Sequence, residues 1–246
     1  MGQVEALQRT ENMVYRAILR APGYVAVETL RGEIGSSCMS SRLIKGTLLL
    51  TKSMMESENV LVREVLERVR MDDKNVWNRG LRGCLDRVGL EYDSLRELSK
   101  GQLKGKVIEM DTMEWRREMN RKSSLYIYRI YKEGVKDEDI YRNDGPSVYL
   151  YRARANVMGL NDFNRHQREE ARRVTLCGIC GEEDEDLCHF LLRCRGISER
   201  DDRMIERMRG VDDVDTLGKL LFTGGHVKDV GTMIYRMWGE RSTKMG

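Results

Sequence analysis

Proline is almost absent from this chain, with two residues among 246, Pro22 and Pro146. Proline breaks a helix from inside, so this scarcity leaves long periodic segments uninterrupted and predicts a mainly α-helical protein. Long apolar runs are missing as well. The densest local cluster is Leu48-Leu49-Leu50, against the roughly 20 residues that a membrane-spanning helix needs. The first residues, Met1-Gly2-Gln3-Val4-Glu5-Ala6, lack the apolar stretch of a secretory signal, and Ala6 stands where a myristoylation signal has Ser or Thr. The expectation is an intracellular protein, nuclear or cytoplasmic, with no membrane attachment. An excess of one charge is also lacking: 43 Lys and Arg against 40 Asp and Glu leave +3. That balance excludes a polybasic tail, so any phosphate binding must come from local patches. No Walker loop, dinucleotide glycine pattern or nucleophile elbow occurs, and no repeat or low-complexity tract.

What is present is a set of apolar stripes at helical spacing, in a composition with 40% hydrophobic residues that suffices for a core. Leu7, Val14, Ala17 and Ile18 predict a first helix before Ala21-Pro22-Gly23, and Val27 to Ile34 a second that Gly35 ends. Ser36 or Ser37 is expected to cap a third, with Met39, Leu43, Leu50 and Met54 on one face. Ser57 is expected to cap a helix burying Val62, Val65, Leu66 and Val69. Val76, Trp77, Leu81, Cys84, Leu85 and Val88 form the next stripe, stopped by Gly89. Leu103, Val107, Met110, Trp115 and Met119 trace one long helix. Lys122 to Tyr131 matches both helical and alternating templates, and helix is preferred. Asn143-Asp144-Gly145-Pro146 reads as a turn, after which Ser147 caps a helix. Tyr126, Tyr128, Tyr131, Tyr149 and Tyr151 are read as core rather than as base-stacking residues.

Six cysteines and three histidines complete the inventory. Cys38 and Cys84 stand alone, and the others cluster in Cys177-Gly178-Ile179-Cys180 and Cys188-His189-Phe190-Leu191-Leu192-Arg193-Cys194. This pattern predicts a metal site in a reducing compartment rather than a disulfide framework. Cys177, Cys180, His189 and Cys194 are the expected ligands of one structural zinc ion, because zinc takes four thiolate or imidazole ligands in a tetrahedron and four protein ligands leave no place for an activated water. Cys188 competes with His189. His189 is favoured because Phe190, Leu191 and Leu192 then pack as one helical turn against the knuckle. His189 and Cys194 lie five residues apart, about 140° off a common α-helical face, so a short helix starting near His189 is expected to unwind at Cys194.

The loop Glu182-Glu183-Asp184-Glu185-Asp186 places five negative charges beside the site and repels phosphate. Any nucleic-acid contact is therefore expected on the flanking arginines Arg152, Arg154, Arg165, Arg168, Arg172 and Arg173, with Arg193, Arg195 and Arg200 further along the chain. Interleaved Glu169, Glu170, Glu199 and Asp201 fit a solvated charged face equally well. His166 and His226 have no partner at a catalytic spacing.

Several of these residues together resemble the C-terminal region of reverse transcriptases from non-LTR (LINE-type) retrotransposons. Ile18-Leu19-Arg20-Ala21-Pro22, Leu30-Arg31-Gly32-Glu33-Ile34-Gly35 and Arg42 are similar to the thumb segment that follows the polymerase palm. Ser99-Lys100, Trp115, Lys122-Ser123 and Tyr151-Arg152-Ala153-Arg154-Ala155 resemble the linker helices, and Cys177, Cys180, His189 and Cys194 match the family's CCHC knuckle. The resemblance implies a thumb-like helical region at 1–56, a helical linker region at 57–172, and a zinc knuckle with C-terminal helices at 173–246. It also implies an irregular helical bundle that binds template RNA or target DNA. Polymerase chemistry would need an aromatic-x-Asp-Asp turn to hold two metal ions. Asp72-Asp73, Asp201-Asp202 and Asp212-Asp213 all lack the aromatic residue, so the chain is not expected to be an enzyme, and fingers and palm would precede Met1. The alternative is a zinc-stabilised protein-interaction or scaffold module, a remnant or a host-adopted copy, without nucleic-acid binding.

Overall fold

The computed structural model of the chain describes residues 2–138, 140–142, 144–161, 175–223 and 225–246. The protein is mainly α-helical. Among the described residues its α-helices are α1 (Gly2–Ile18), α2 (Val27–Ile34), α3 (Met39–Met55), α4 (Val60–Met71), α5 (Val76–Val88), α6 (Ser94–Glu97), α7 (Lys100–Asn120), α8 (Tyr126–Tyr131), α9 (Gly145–Arg154), α10 (Asp202–Arg207), α11 (Asp213–Phe222) and α12 (Val227–Met245). Among the described residues, extended pairing is confined to one bridge between Leu176 and Asp184. No described helix is long and apolar enough to cross a membrane.

Two compact units form, one from residues 1–9 and 36–117 and the other from 10–35 and 118–246. This grouping cuts across the sequence segments 1–56, 57–172 and 173–246. The reason lies in contacts distant in sequence: Thr29 and Glu33 of α2 bond Tyr151 and Arg154 of α9, more than a hundred positions away.

In the first unit Ile44, Leu48, Leu81, Leu85, Leu95, Leu103, Val107 and Met110 form one core. The face of α7 is the one its stripe predicts; on α5 Leu81 and Leu85 are buried while Val76 is exposed. Helix α3 is turned differently. Leu43 and Leu50 are exposed, and Ser41, Ile44, Leu48, Thr51 and Lys52 face inward. Partners make this polar face tolerable: Ser41 Oγ donates to Asp111 Oδ1 at 2.8 Å, and Lys52 Nζ donates to Leu95 O at 2.9 Å. Caps shift too. Cys38 rather than Ser36 or Ser37 caps α3, its sulfur accepting from Ser41 N, and Asn59 rather than Ser57 caps α4. In α4 Leu66 is buried and Val65 is exposed.

The second unit carries the larger core, drawn from α8, α9, α11, α12 and the knuckle, with Leu150, Phe190, Leu191, Leu217, Leu221, Ile234 and Met237 at its centre. A second cluster joins Tyr15 and Leu19 to Val25, Leu30, Tyr151 and Ala155. Tyr15 and Leu19 are thus the inward residues at the C-terminal end of α1, while Leu7, Val14 and Ile18 are each about half exposed. Lys122 to Tyr131 is helical, a 3-10 turn at Ser123–Leu125 running into α8. Asp144 rather than Ser147 caps α9, accepting from Ser147 N at 2.8 Å, with Pro146 in the first turn. Tyr128 and Tyr151 are fully buried, as core residues should be.

Candidate metal centre

The knuckle begins as a hairpin-like loop. Cys177 N bonds Glu183 O and Glu185 N bonds Thr175 O, both at 2.8 Å, flanking the Leu176–Asp184 bridge. At its tip Gly181 N returns to Cys177 O at 2.8 Å, and Gly181 has φ +70, a conformation glycine adopts without strain. This tight turn brings the two thiols of the Cys-x2-Cys pair to one side. Asp186 then starts the next element, its Oδ1 accepting from His189 N at 2.6 Å and its carbonyl from Phe190 N at 3.0 Å.

The segment His189–Arg193 is a π-helical turn, closed by Cys194 N to His189 O at 2.7 Å. A short helix near His189 that ends at Cys194 is what the sequence predicts; its π geometry is the addition. An i→i+5 bond widens the turn by one residue, so side chains five apart come round to one side where an α-helix would separate them. Phe190 and Leu191, both fully buried, anchor the turn to the core, and the Phe190 ring meets Trp238 edge-on at 6.1 Å.

The ligand atoms of Cys177, Cys180, His189 and Cys194 all lie within 4.8 Å of one another. Cys177 Sγ is 3.7 Å from Cys194 Sγ, and Cys180 Sγ is 3.3 Å from His189 Nε2. A tetrahedron with metal–sulfur bonds of about 2.3 Å has sulfur–sulfur edges of about 3.8 Å, so the cluster has the size a four-coordinate ion requires. Sulfur atoms 3.7 Å apart are not bonded, and all six cysteines are free. Burial pushes the Cys194 thiol up to about 12. Burial acts upward on Cys180 too, but the backbone N–H groups of Glu182 and Glu183 and the Cys177 and Cys194 side chains hold it below its usual value. His189 is buried, and its Nδ1 has no hydrogen bond. Cys188 is not part of the cluster; burial, then Asp186, push its thiol up to about 11.

The arginines are placed very differently from one another. Arg154 is buried: Nη1 meets Glu33 Oε2 at 2.7 Å, Nε donates to Leu221 O at 2.8 Å, and its guanidinium lies 4.7 Å over the Phe222 ring. It has no face left for phosphate, which corrects its assignment as a nucleic-acid contact. Arg152 is half-buried, with Nη2 donating to Arg20 O at 3.3 Å and its guanidinium over Tyr149. Arg165, Arg168, Arg172 and Arg173, with His166, lie outside the described residues. Beyond the knuckle, Arg193 is taken by Glu183 and Asp213, and Arg200 by Asp202 and Cys194 O. His226 is exposed, 4.0 Å from Asp229.

Two ionic arrangements were not legible from the sequence. Glu185, counted there with the repelling loop, is fully buried in a bidentate pair with Arg241, both contacts at 2.6 Å, and also accepts from Asn161 N at 3.1 Å. Glu33 is fully buried among Arg154, Lys132 and Tyr141. Burial alone would raise its pKa, yet the neighbouring Arg154 and Lys132 cations hold the carboxyl below the usual 4.5. Neither has a local signal, since each cationic partner is more than fifty residues distant.

Fold and cluster together define a mainly α-helical protein with a Cys3His group able to hold a metal ion. No family model matches the chain, and no curated protein or solved structure matches it.

Proposed function

We propose that the chain is a non-catalytic module, stabilised by one structural zinc ion, that binds RNA or DNA as part of a non-LTR retrotransposon reverse transcriptase C-terminal region. The observation that carries this reading is the cluster itself: three thiols and an imidazole gathered within 4.8 Å at the spacing of the CCHC knuckle it resembles. Thiolate and imidazole donors in a tetrahedron favour zinc over harder cations, and four protein ligands leave no open coordination position for chemistry. Zinc bound here would tie the Gly181 turn to the π-turn, and Phe190 and Leu191 would pass that constraint to the core.

Nucleic-acid contact falls to Arg152, Arg165, Arg168, Arg172 and Arg173, with Arg154 removed from the set. The Glu185–Arg241 pair supports the reading by neutralising one of the five loop carboxylates. The test is fluorescence anisotropy with structured RNA and duplex DNA across a salt series. Binding at low salt should weaken steeply as salt rises, and Arg→Gln changes at these five positions should weaken it and flatten the salt slope by about one for each phosphate no longer neutralised. No binding at low salt, or no effect of the substitutions, overturns it.

A second reading, a zinc-stabilised protein-interaction scaffold, is favoured by the exposed apolar residues Met13, Val14 and Ile18 along α1. A bound protein partner released by Val14→Lys, with no nucleic-acid affinity, is the outcome that selects it.

A further inference from the structure

His189 turns Nε2 toward Cys180 Sγ at 3.3 Å and so presents that nitrogen to the cluster. The ring proton must then sit on Nδ1 whenever Nε2 binds a metal. Nδ1 is buried without a hydrogen bond, and with the residue 1% exposed water does not reach it. One carboxylate stands in position to accept that proton: Glu183 Oε2 lies 3.5 Å from Nδ1. Asp186, the other acid close by, already spends Oδ1 on the backbone N–H of His189. The backbone of Glu183 is fixed independently, its carbonyl accepting from Cys177 N at 2.8 Å. Its side chain therefore needs only a small rotation to close on the ring. Oε2 also accepts from Arg193 Nε at 2.8 Å, and a carboxylate oxygen has two lone pairs, so both donors can be served.

Resting on the metal reading above, we infer that Glu183 is the positioning residue of the centre: it accepts the Nδ1 proton of His189, fixes the tautomer that leaves Nε2 free to ligate, and orients the ring. Outer carboxylates of this kind raise metal affinity by about 10–100-fold. Glu183 touches no metal itself, so its effect must pass through the imidazole and vanish when the imidazole is replaced.

The experiment uses the full chain, with zinc and cobalt(II) affinities measured by competition against a chromophoric chelator. Glu183→Ala is expected to weaken affinity about 10–100-fold while leaving a tetrahedral cobalt spectrum. In a His189→Cys background, where the fourth ligand is a thiolate with no second nitrogen, the same change is expected to alter affinity by less than about threefold. Arg193→Gln, which frees Glu183 without removing it, should leave affinity unchanged. If Glu183→Ala has no effect in the wild-type chain, or the same effect in the His189→Cys chain, or if Arg193→Gln reproduces the loss, the inference fails while the metal reading stands. A wild-type chain that takes up neither metal overturns both.

Discussion

Lys52 of the first unit and Arg154 of the second are both buried cations on helices, yet they are held in opposite ways. Lys52 lies among leucines, but its partner Glu56 is one turn along the same helix, 2.7 Å away and half in solvent. Arg154 meets Glu33, which is fully buried and comes from another helix, at 2.7 Å. If Lys52 is lost, Glu56 turns to water. If Arg154 is lost, Glu33 is left charged inside the core with the Tyr141 hydroxyl as a donor and Lys132, at 3.9 Å, as the nearest remaining cation. Loss of the Lys52 cation thus leaves a partner that water can serve, whereas loss of the Arg154 cation leaves one that water cannot reach.

Metal removal should break this comparison most forcefully. Stripping the proposed zinc with a chelator is expected to cost the knuckle several kcal/mol of local stability, on the order seen for structural zinc sites. Amide exchange is the measurement: Phe190, Leu191 and Cys194 should lose protection, and Leu48, Leu81 and Leu103 should keep theirs. Equal loss in both units would erase the distinction.

Arg154→Met should cost about 3–5 kcal/mol in denaturant unfolding, because it strands Glu33. Adding Glu33→Gln should recover a large part of that. The same pair sets a pH signature. Glu33 has a folded pKa below its unfolded value near 4.5, so its contribution is present above that pH and is lost as pH falls through the folded value. Wild-type stability should therefore drop on acidification below about pH 4.5, and Glu33→Gln should flatten that drop. The smallest effect belongs to Lys52→Met, about 1 kcal/mol with little acid dependence. A cost matching that of Arg154→Met would show that the first unit depends on its buried charge as much as the second does.

These contrasts also explain what could be read from the chain beforehand. Helix stops at Gly35 and Gly89 were legible because a left-handed residue, with φ +71 and +68, selects glycine on steric grounds alone. The buried stripe Leu103, Val107, Met110, Trp115 and Met119 was legible from its spacing of three to five residues, although Ile108 and Met113 of the same helix are exposed. Helix α1 has apolar residues on two sides, and periodicity cannot say which side is covered; hence Tyr15 and Leu19 went in while Val14 and Ile18 stayed out. The inward face of α3 includes Ser41 and Lys52, which hydropathy does not select. At the candidate metal centre the four clustered residues were legible from spacing, since the loop that gathers them is local. The π-turn was not, because it replaces one hydrogen-bond pattern with another without changing composition. Nor was the burial of Arg154 and Glu185, whose partners are set by the tertiary fold.

The Glu185–Arg241 pair has a consequence for the order in which the protein is made. Fifty-six residues separate its two ends. At about 5–20 residues per second a ribosome takes on the order of 3–11 s to travel that far. For most of that interval, from the synthesis of Cys194 onward, Cys177, Cys180, His189 and Cys194 are all present and free to gather around an ion, while Glu185 still lacks its guanidinium. The knuckle therefore waits in the nascent chain with one carboxylate in water, and the arrival of α12 lets that carboxylate be sealed inside the core.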